Sequence, residues 1–166
     1  MKQFIAMIML AFVATGAFAQ DKAKPSPAAV AEGVIDGVNV KITYSAPSAR
    51  GRKIVGGLDP YGKVWRTGAN ETTTIEFSAP VKVEGKEVAA GKYGLFTIPG
   101  ETEWVVILNT GIKWGAYTYK QEEDVIRVNV KPAKPSAFVE TLNFTVEKNQ
   151  VVLKFENNQV AFSVKK

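Results

Sequence analysis

Residues 65–71 read WRTGANE, a dense group of polar and aromatic side chains in a chain otherwise rich in alternating Val, Thr, Phe and Lys. Arg66 carries a rigid fork of five N–H donors, suited to a carboxylate or a phosphate. Glu71 can accept two of those donors. Trp65 offers a flat ring for stacking on a sugar or on a guanidinium. Asn70 brings both a donor and an acceptor. Two arrangements use these groups. In one, they form a pocket wall: Arg66 holds an anionic group, Asn70 and Glu71 take hydroxyls or an amide, and Trp65 is the platform. In the other, Arg66 and Glu71 pair internally, Trp65 enters the core, and Asn70 binds backbone near a turn at Gly68-Ala69.

The chain has no His and no Cys. That removes imidazole metal sites, Ser-His-Asp and Cys-His nucleophile systems, and the usual general base at neutral pH. No metal and no cofactor is expected. Any catalysis must rest on carboxylates, Lys, Tyr or a Ser-Lys pair. The candidate carboxylates are Glu71, Glu76, Glu103, Asp124 and Glu140. Two of them, held about 5 to 10 Å apart across a cleft, would suit glycoside hydrolysis. Glu140 shares strand parity with Phe138, Leu142 and Phe144. A carboxylate on an apolar face needs a partner, and Arg127 or Arg66 would serve.

Two further stretches carry chemistry. SARGRKIVGGLDPYGKV (48–64) has no clear period and holds Arg50, Arg52 and Lys53. These cations, with Arg66, are either an anion site or a solvated basic loop. The spacing of a phosphate loop is missing. KWGAYTY (113–119) groups Trp114 with two tyrosines, as a sugar-stacking surface or as hairpin packing. Asn70-Glu71-Thr72 and Asn143-Phe144-Thr145 match the glycosylation sequon, but both fall in strand regions and carry no weight here.

The start of the chain bears on compartment. Lys2 precedes an apolar run from Phe4 to Phe18, and Ala17-Phe18-Ala19 fits a small-x-small cleavage site. Residues 1–19 therefore read as a secretory signal peptide, and the product as periplasmic or secreted. The run is shorter than the roughly 20 residues that span a bilayer, so no membrane span is expected after cleavage. No Cys follows it to carry a lipid. The formal charge is +5, one unit less without Lys2. The basic residues are scattered, so no nucleic-acid partner is expected.

The elements that must position these groups are strands. Val38, Val40, Ile42 and Tyr44 alternate with polar residues, as do Ile126, Val128 and Val130, and Leu142, Phe144 and Val146. GKYGLFTIP (91–99) and WVVILN (104–109) pair across residues 100–103. VKVEGKEV turns at Glu84-Gly85. Asp59-Pro60-Tyr61-Gly62 fits a type I turn. EKNQVVLKF and ENNQVAFSV echo each other, with Lys148-Asn149 and Asn157-Asn158 at the turns, where Asn tolerates positive φ. Residues 138–164 read as a three-stranded meander. Residues 20–33, rich in Pro and Ala, read as a flexible arm before a single β domain over 34–166. No stretch after the arm shows a 3.6 period. About ten short strands with Gly and Pro turns predict an all-β, antiparallel β-sandwich, with a partly closed barrel as the second choice.

GRKIVGGLDPYGKVWRTGANETTTIEF, AAGKYGLFTIPG, EWVVILN and WGAYTYKQEEDVIRV, in that order, resemble the exported bacterial family catalogued as domain of unknown function 2911. The resemblance covers about residues 45–132. It implies a β-rich exported protein of Gram-negative bacteria and carries no assigned activity. Residues and resemblance together suggest a non-catalytic binding module for a saccharide, an envelope fragment or a protein partner. Its candidate ligand residues are Trp65, Arg66, Asn70, Glu71, Trp114, Arg127 and Glu140, with Arg50, Arg52 and Lys53 as candidate anion-binding residues. The alternatives are a carboxylate-dependent glycan hydrolase and a structural envelope protein.

Overall fold

A computed structural model describes residues 25–112 and 118–166. The apolar start of the chain and Trp114 lie outside the described residues. The fold is an all-β sandwich of two antiparallel sheets, not closed into a barrel. In chain order the strands are β1 (Ala28–Ile35), β2 (Val38–Ser45), β3 (Thr74–Phe77), β4 (Val81–Val83), β5 (Lys86–Val88) and β6 (Gly91–Ile98). Then come β7 (Trp104–Asn109), β8 (Asp124–Val130), β9 (Val139–Val146), β10 (Gln150–Glu156) and β11 (Asn158–Lys165). The first sheet runs β1-β2-β3-β6-β7-β8 and the second β5-β4-β11-β10-β9.

The period of two sets which face is buried. In β2, Val38, Val40, Ile42 and Tyr44 enter the core, while Asn39, Lys41 and Thr43 face water. In β7, Trp104, Val106 and Leu108 join the same core, but Ile107 is buried outside it. Phe96 in β6 is also buried outside that core, with the Tyr119 ring edge-on at 5.1 Å. The segment after β7 therefore covers part of the outer face of the first sheet. This is why WVVILN reads as one apolar run without alternation. Among the described residues, no helix is long and apolar enough to cross a membrane.

The meander over 138–164 and the hairpin at Glu84-Gly85 are both present. Glu84 and Gly85 take φ of 47° and 81°, the pair of positive values a two-residue type I′ turn requires.

Three local expectations differ. β1 begins at Ala28, inside the stretch read as an arm. Every residue from Ala28 to Ile35 has a register partner in β2, from Ala28↔Ser45 to Ile35↔Val38. Ala and Gly have little preference for strands, so β2 and not local propensity recruits this segment. A Cβ at Gly33 would stand 2.9 Å from Val146, so β1 and β9 meet closely there.

The turn near Pro60 is displaced by one residue. Lys63 N–H donates to Pro60 O at 3.3 Å, and Gly62 has φ of 73°, as the third position of a type II turn needs. Asp59 backbone is already committed to Ile54 and Gly56. At the β10–β11 turn, Glu156 and neither Asn carries positive φ, at 54°.

The connection from β2 to β3, residues 46–73, closes one end of the sandwich. Ala49 N–H donates to Glu140 O, and Leu142 N–H to Pro47 O, tying it to β9. Trp65 then pairs with Thr97 of β6 through both backbone bonds, at 2.7 and 3.0 Å. Thr67 and Thr73 are fully buried, and Thr73 Oγ1 donates to Thr67 O at 2.9 Å. Gly68 fits because it has no side chain: a Cβ would meet Thr73 Oγ1 at 2.7 Å and Ser45 O at 3.1 Å. Overpacking of this kind costs about 1 to 3 kcal/mol. Gly68→Ala is therefore expected to lower the thermal midpoint by several degrees, at roughly 2 to 4 °C per kcal/mol for a domain of this size, read by circular dichroism.

Candidate functional site

The geometry of WRTGANE divides its residues. Trp65 is 3% exposed, stacked on Phe155 at 6.2 Å and edge-on to Trp104 at 6.3 Å. It belongs to the core and cannot be a ligand platform. Asn70 donates to Ser26 O at 3.3 Å, a backbone bond as the structural arrangement expects. The Arg66–Glu71 pair of that arrangement does not form. Glu71 is exposed and accepts a long bond of 3.4 Å from Ser45 Oγ. Arg66 is half-buried, and its Nε is shielded with no hydrogen-bond partner among the described residues. Its charge acts on Asp59, whose ionised form it favours, although among the described residues no ion pair joins the two. Sequence proximity suggested the wrong carboxylate, because positive φ at Thr67 and Asn70 turns the chain between the two residues.

Glu140 is exposed, and its partner is neither Arg127 nor Arg66. Its Oε1 accepts the Arg50 N–H at 2.7 Å. Phe138 lies just outside β9 and is 53% exposed, so the apolar face begins only at Leu142. Arg127 belongs to a separate network. Its Nε donates to Asp124 Oδ2 at 2.7 Å, and another of its nitrogens donates to Tyr119 Oη at 2.8 Å. Tyr119 Oη donates to Asp124 Oδ2, and Asn109 Nδ2 to Asp124 Oδ1. Burial, then the bond to Asp124, pushes the Tyr119 hydroxyl up. Burial opposes the Arg127 charge, but the bonds to Tyr119 and Asp124 outweigh it and hold the guanidinium above its usual range. These partners satisfy one another, so the network fixes the segment before β8.

The 48–64 segment does form a cavity wall. A cleft of about 540 Å³ lies between it, Lys134 and Phe138 before β9, and the β10–β11 turn. Arg52, Lys53, Tyr61, Lys134, Phe138, Glu156, Asn157 and Asn158 line it. The Lys53 ammonium stands 5.8 Å from the centre of the Tyr61 ring. Tyr61 in turn lies against Gly56, where a Cβ would collide with the ring at 2.4 Å. Arg52 is turned toward its own backbone, donating to Ala49 O and Ser48 O. Arg50 donates to Pro25 O and does not line the cleft.

The most informative group here escaped the sequence reading. Glu156 is 6% exposed, and its two oxygens accept the N–H groups of Ile54 at 2.9 Å and Val55 at 2.7 Å. A non-glycine residue at positive φ costs roughly 1 to 3 kcal/mol, and charge-assisted bonds of this kind offset it. Glu156 was hidden because it occupies a hairpin turn, where Asn was the expected signal. Asp59 was hidden because it read as a turn residue. Desolvation raises the Asp59 carboxyl, Arg66 opposes the rise, and Glu156 adds to it. Among the described residues, no three acidic, His or Cys side chains are grouped to hold a metal ion.

Two measurements check this geometry. A carboxyl raised in the folded state keeps a proton that the unfolded chain has lost, so stability falls as pH climbs from 3.8 toward the raised native value. Asp59→Asn removes that cost. It is expected to be more stable than the wild type near neutral pH, with the difference fading as pH drops below the ordinary value. Separately, a double-mutant cycle of Arg66→Ala and Glu71→Gln should give a coupling no larger than about 0.5 kcal/mol, as for residues without contact.

A scan of family models matches residues 26–165 to the family described as "Protein of unknown function (DUF2911)". No curated protein and no solved structure matches the chain. The match takes in both sheets, the WRTGANE connection and the cleft, and on that extent the chain belongs to the DUF2911 family of proteins of unknown function.

Proposed function

We propose that this protein is an exported, non-catalytic binding module for an acidic saccharide or envelope fragment, held in the cleft beside Tyr61 and Phe138. One observation carries the reading: a phenyl ring 53% exposed at Phe138 lies on the same cleft as Arg52, Lys53 and Lys134. Beside the cations, the exposed ring is an apolar face that a ligand can cover. A sugar ring does so with its C–H face. The cations then meet a carboxylate or phosphate, and the Asn157 and Asn158 amides meet hydroxyls. The apolar start of the chain, read as a signal peptide, supports an address outside the cytoplasm.

A hydrolase is the second reading, favoured by the half-buried Asp59, whose carboxyl is raised, near the buried Glu156. Glu156 weakens it. Both of its oxygens already accept backbone N–H groups, so it is a poor nucleophile or base.

The test is calorimetric titration of the purified full chain with soluble saccharides that bear, or lack, carboxylate or phosphate groups. Acidic members should bind, more weakly as salt is raised, and Lys53→Ala/Lys134→Ala should lose that binding without moving the thermal midpoint. Both lysines are exposed, so their loss leaves the core intact. Absence of binding by every acidic member, or binding indifferent to both substitutions, rejects the proposal. Release of a shortened product would favour the hydrolase, and Asp59→Asn should then abolish the release.

A further inference from the structure

The outer face of the first sheet carries a second, separate groove of about 300 Å³. Two threonines lie on its floor. Thr43 of β2 and Thr74 of β3 are register partners, and the neighbours that flank them in sequence, Ile42, Tyr44 and Ile75, all enter the core. Period two therefore turns both threonines outward, side by side. Thr74 is largely buried but reaches the groove. The next position across the sheet is Gly94. The space over it is closed by neighbours: a Cβ there would stand 2.9 Å from the Phe96 ring and 3.3 Å from Gly111 O and the Thr72 methyl, so the groove stops short of this position.

The rim carries one charge of each sign. Glu71 enters from the end of WRTGANE, and Lys92 from β6. Neither forms an ion pair among the described residues. The bond from Ser45 Oγ to Glu71, at 3.4 Å, is long and leaves most of the carboxylate's acceptor capacity unused. Ile112, 43% exposed, adds an apolar patch to the rim.

Acceptors, donors and an apolar patch around a pocket at the small end of the ligand-site range describe a small polyhydroxylated guest. The carboxylate can take two neighbouring hydroxyls, the ammonium and the threonines can complete the set, and Ile112 can face ring C–H groups. The two charges cancel across the groove, which therefore offers no net attraction to an anion. This is the reverse of the cleft, where cations dominate the rim. We infer that the Thr43–Thr74–Glu71–Lys92 groove is a distinct binding site for a neutral sugar, independent of the ligand proposed for the cleft.

The test is amide-resolved NMR titration of the full chain with neutral hexoses, and with a uronic acid as the contrasting probe. Neutral hexoses should shift the signals of Thr43, Glu71, Thr74 and Lys92 and saturate, while the uronic acid should leave them in place. Loss of a hydrogen bond to a charged acceptor weakens binding by about tenfold or more, so Glu71→Gln should reduce affinity by at least that factor. Glu71 is exposed and the change is isosteric, so the fold is preserved; Thr74→Val is the second variant and should also weaken binding. Lys53→Ala/Lys134→Ala should leave hexose binding unchanged, which separates this site from the cleft. The inference is overturned if no neutral hexose shifts the four signals, if Glu71→Gln and Thr74→Val bind as the wild type does, or if the hexose-dependent shifts fall on the cleft.

Discussion

Trp65 stands between the two sheets. Its ring stacks on Phe155 from one and meets the edge of Trp104 from the other. Its backbone adds both bonds of a bridge to Thr97. A fully buried Trp contributes a large apolar area, and its removal typically costs about 3 to 5 kcal/mol. The long connection between β2 and β3 would be a loose loop without this anchor. With it, residues 46–73 form a closed end on the sandwich. The buried Thr67 and Thr73 hydroxyls donate to the carbonyls of Trp65 and Thr67, backbone that such a crossing must hide, and Thr97 Oγ1 pairs with Thr67 Oγ1.

Glu156 is the second hold on the same segment. It is the residue after Phe155, so the aromatic stack and the carboxylate grip are adjacent in β10. Together they fix Ile54, Val55 and Trp65 against the second sheet. The cleft follows from that fixing. Its cations and rings project from a stretch that has little regular structure of its own but is tied down at both ends. The strain at Glu156, paid by its bonds to Ile54 and Val55, is the local cost of holding the wall in place.

WRTGANE illustrates how one motif can serve two regions. Trp65, Thr67 and Gly68 are packing residues whose freedom to vary is small. Arg66 acts on Asp59, and Glu71 lies on the outer face of the first sheet. The turn that separates them needs positive φ at Thr67 and Asn70. A cluster that looks like one site along the chain is therefore divided between opposite surroundings, and its two charged residues contribute to different places.

The alternation of apolar and polar residues, the Gly-containing turns and the missing His and Cys determined by themselves the strand content, the antiparallel sandwich and the chemistry that is excluded. These are local or compositional properties, so period and spacing report them directly. The sequence also marked 48–64 as the irregular stretch that carries cations. Tertiary structure alone decided which groups meet. Glu140 was matched to a distant arginine side chain but takes a backbone N–H of Arg50, because the connection runs along β9. Asp59 and Glu156 lie 97 positions apart in number and come together only when the β10–β11 turn docks on Ile54 and Val55. β1 is a strand because β2 offers it a free edge, although its alanines give it little preference of their own. Pairing between distant segments depends on which surfaces burial brings together, and no short window of sequence contains that information.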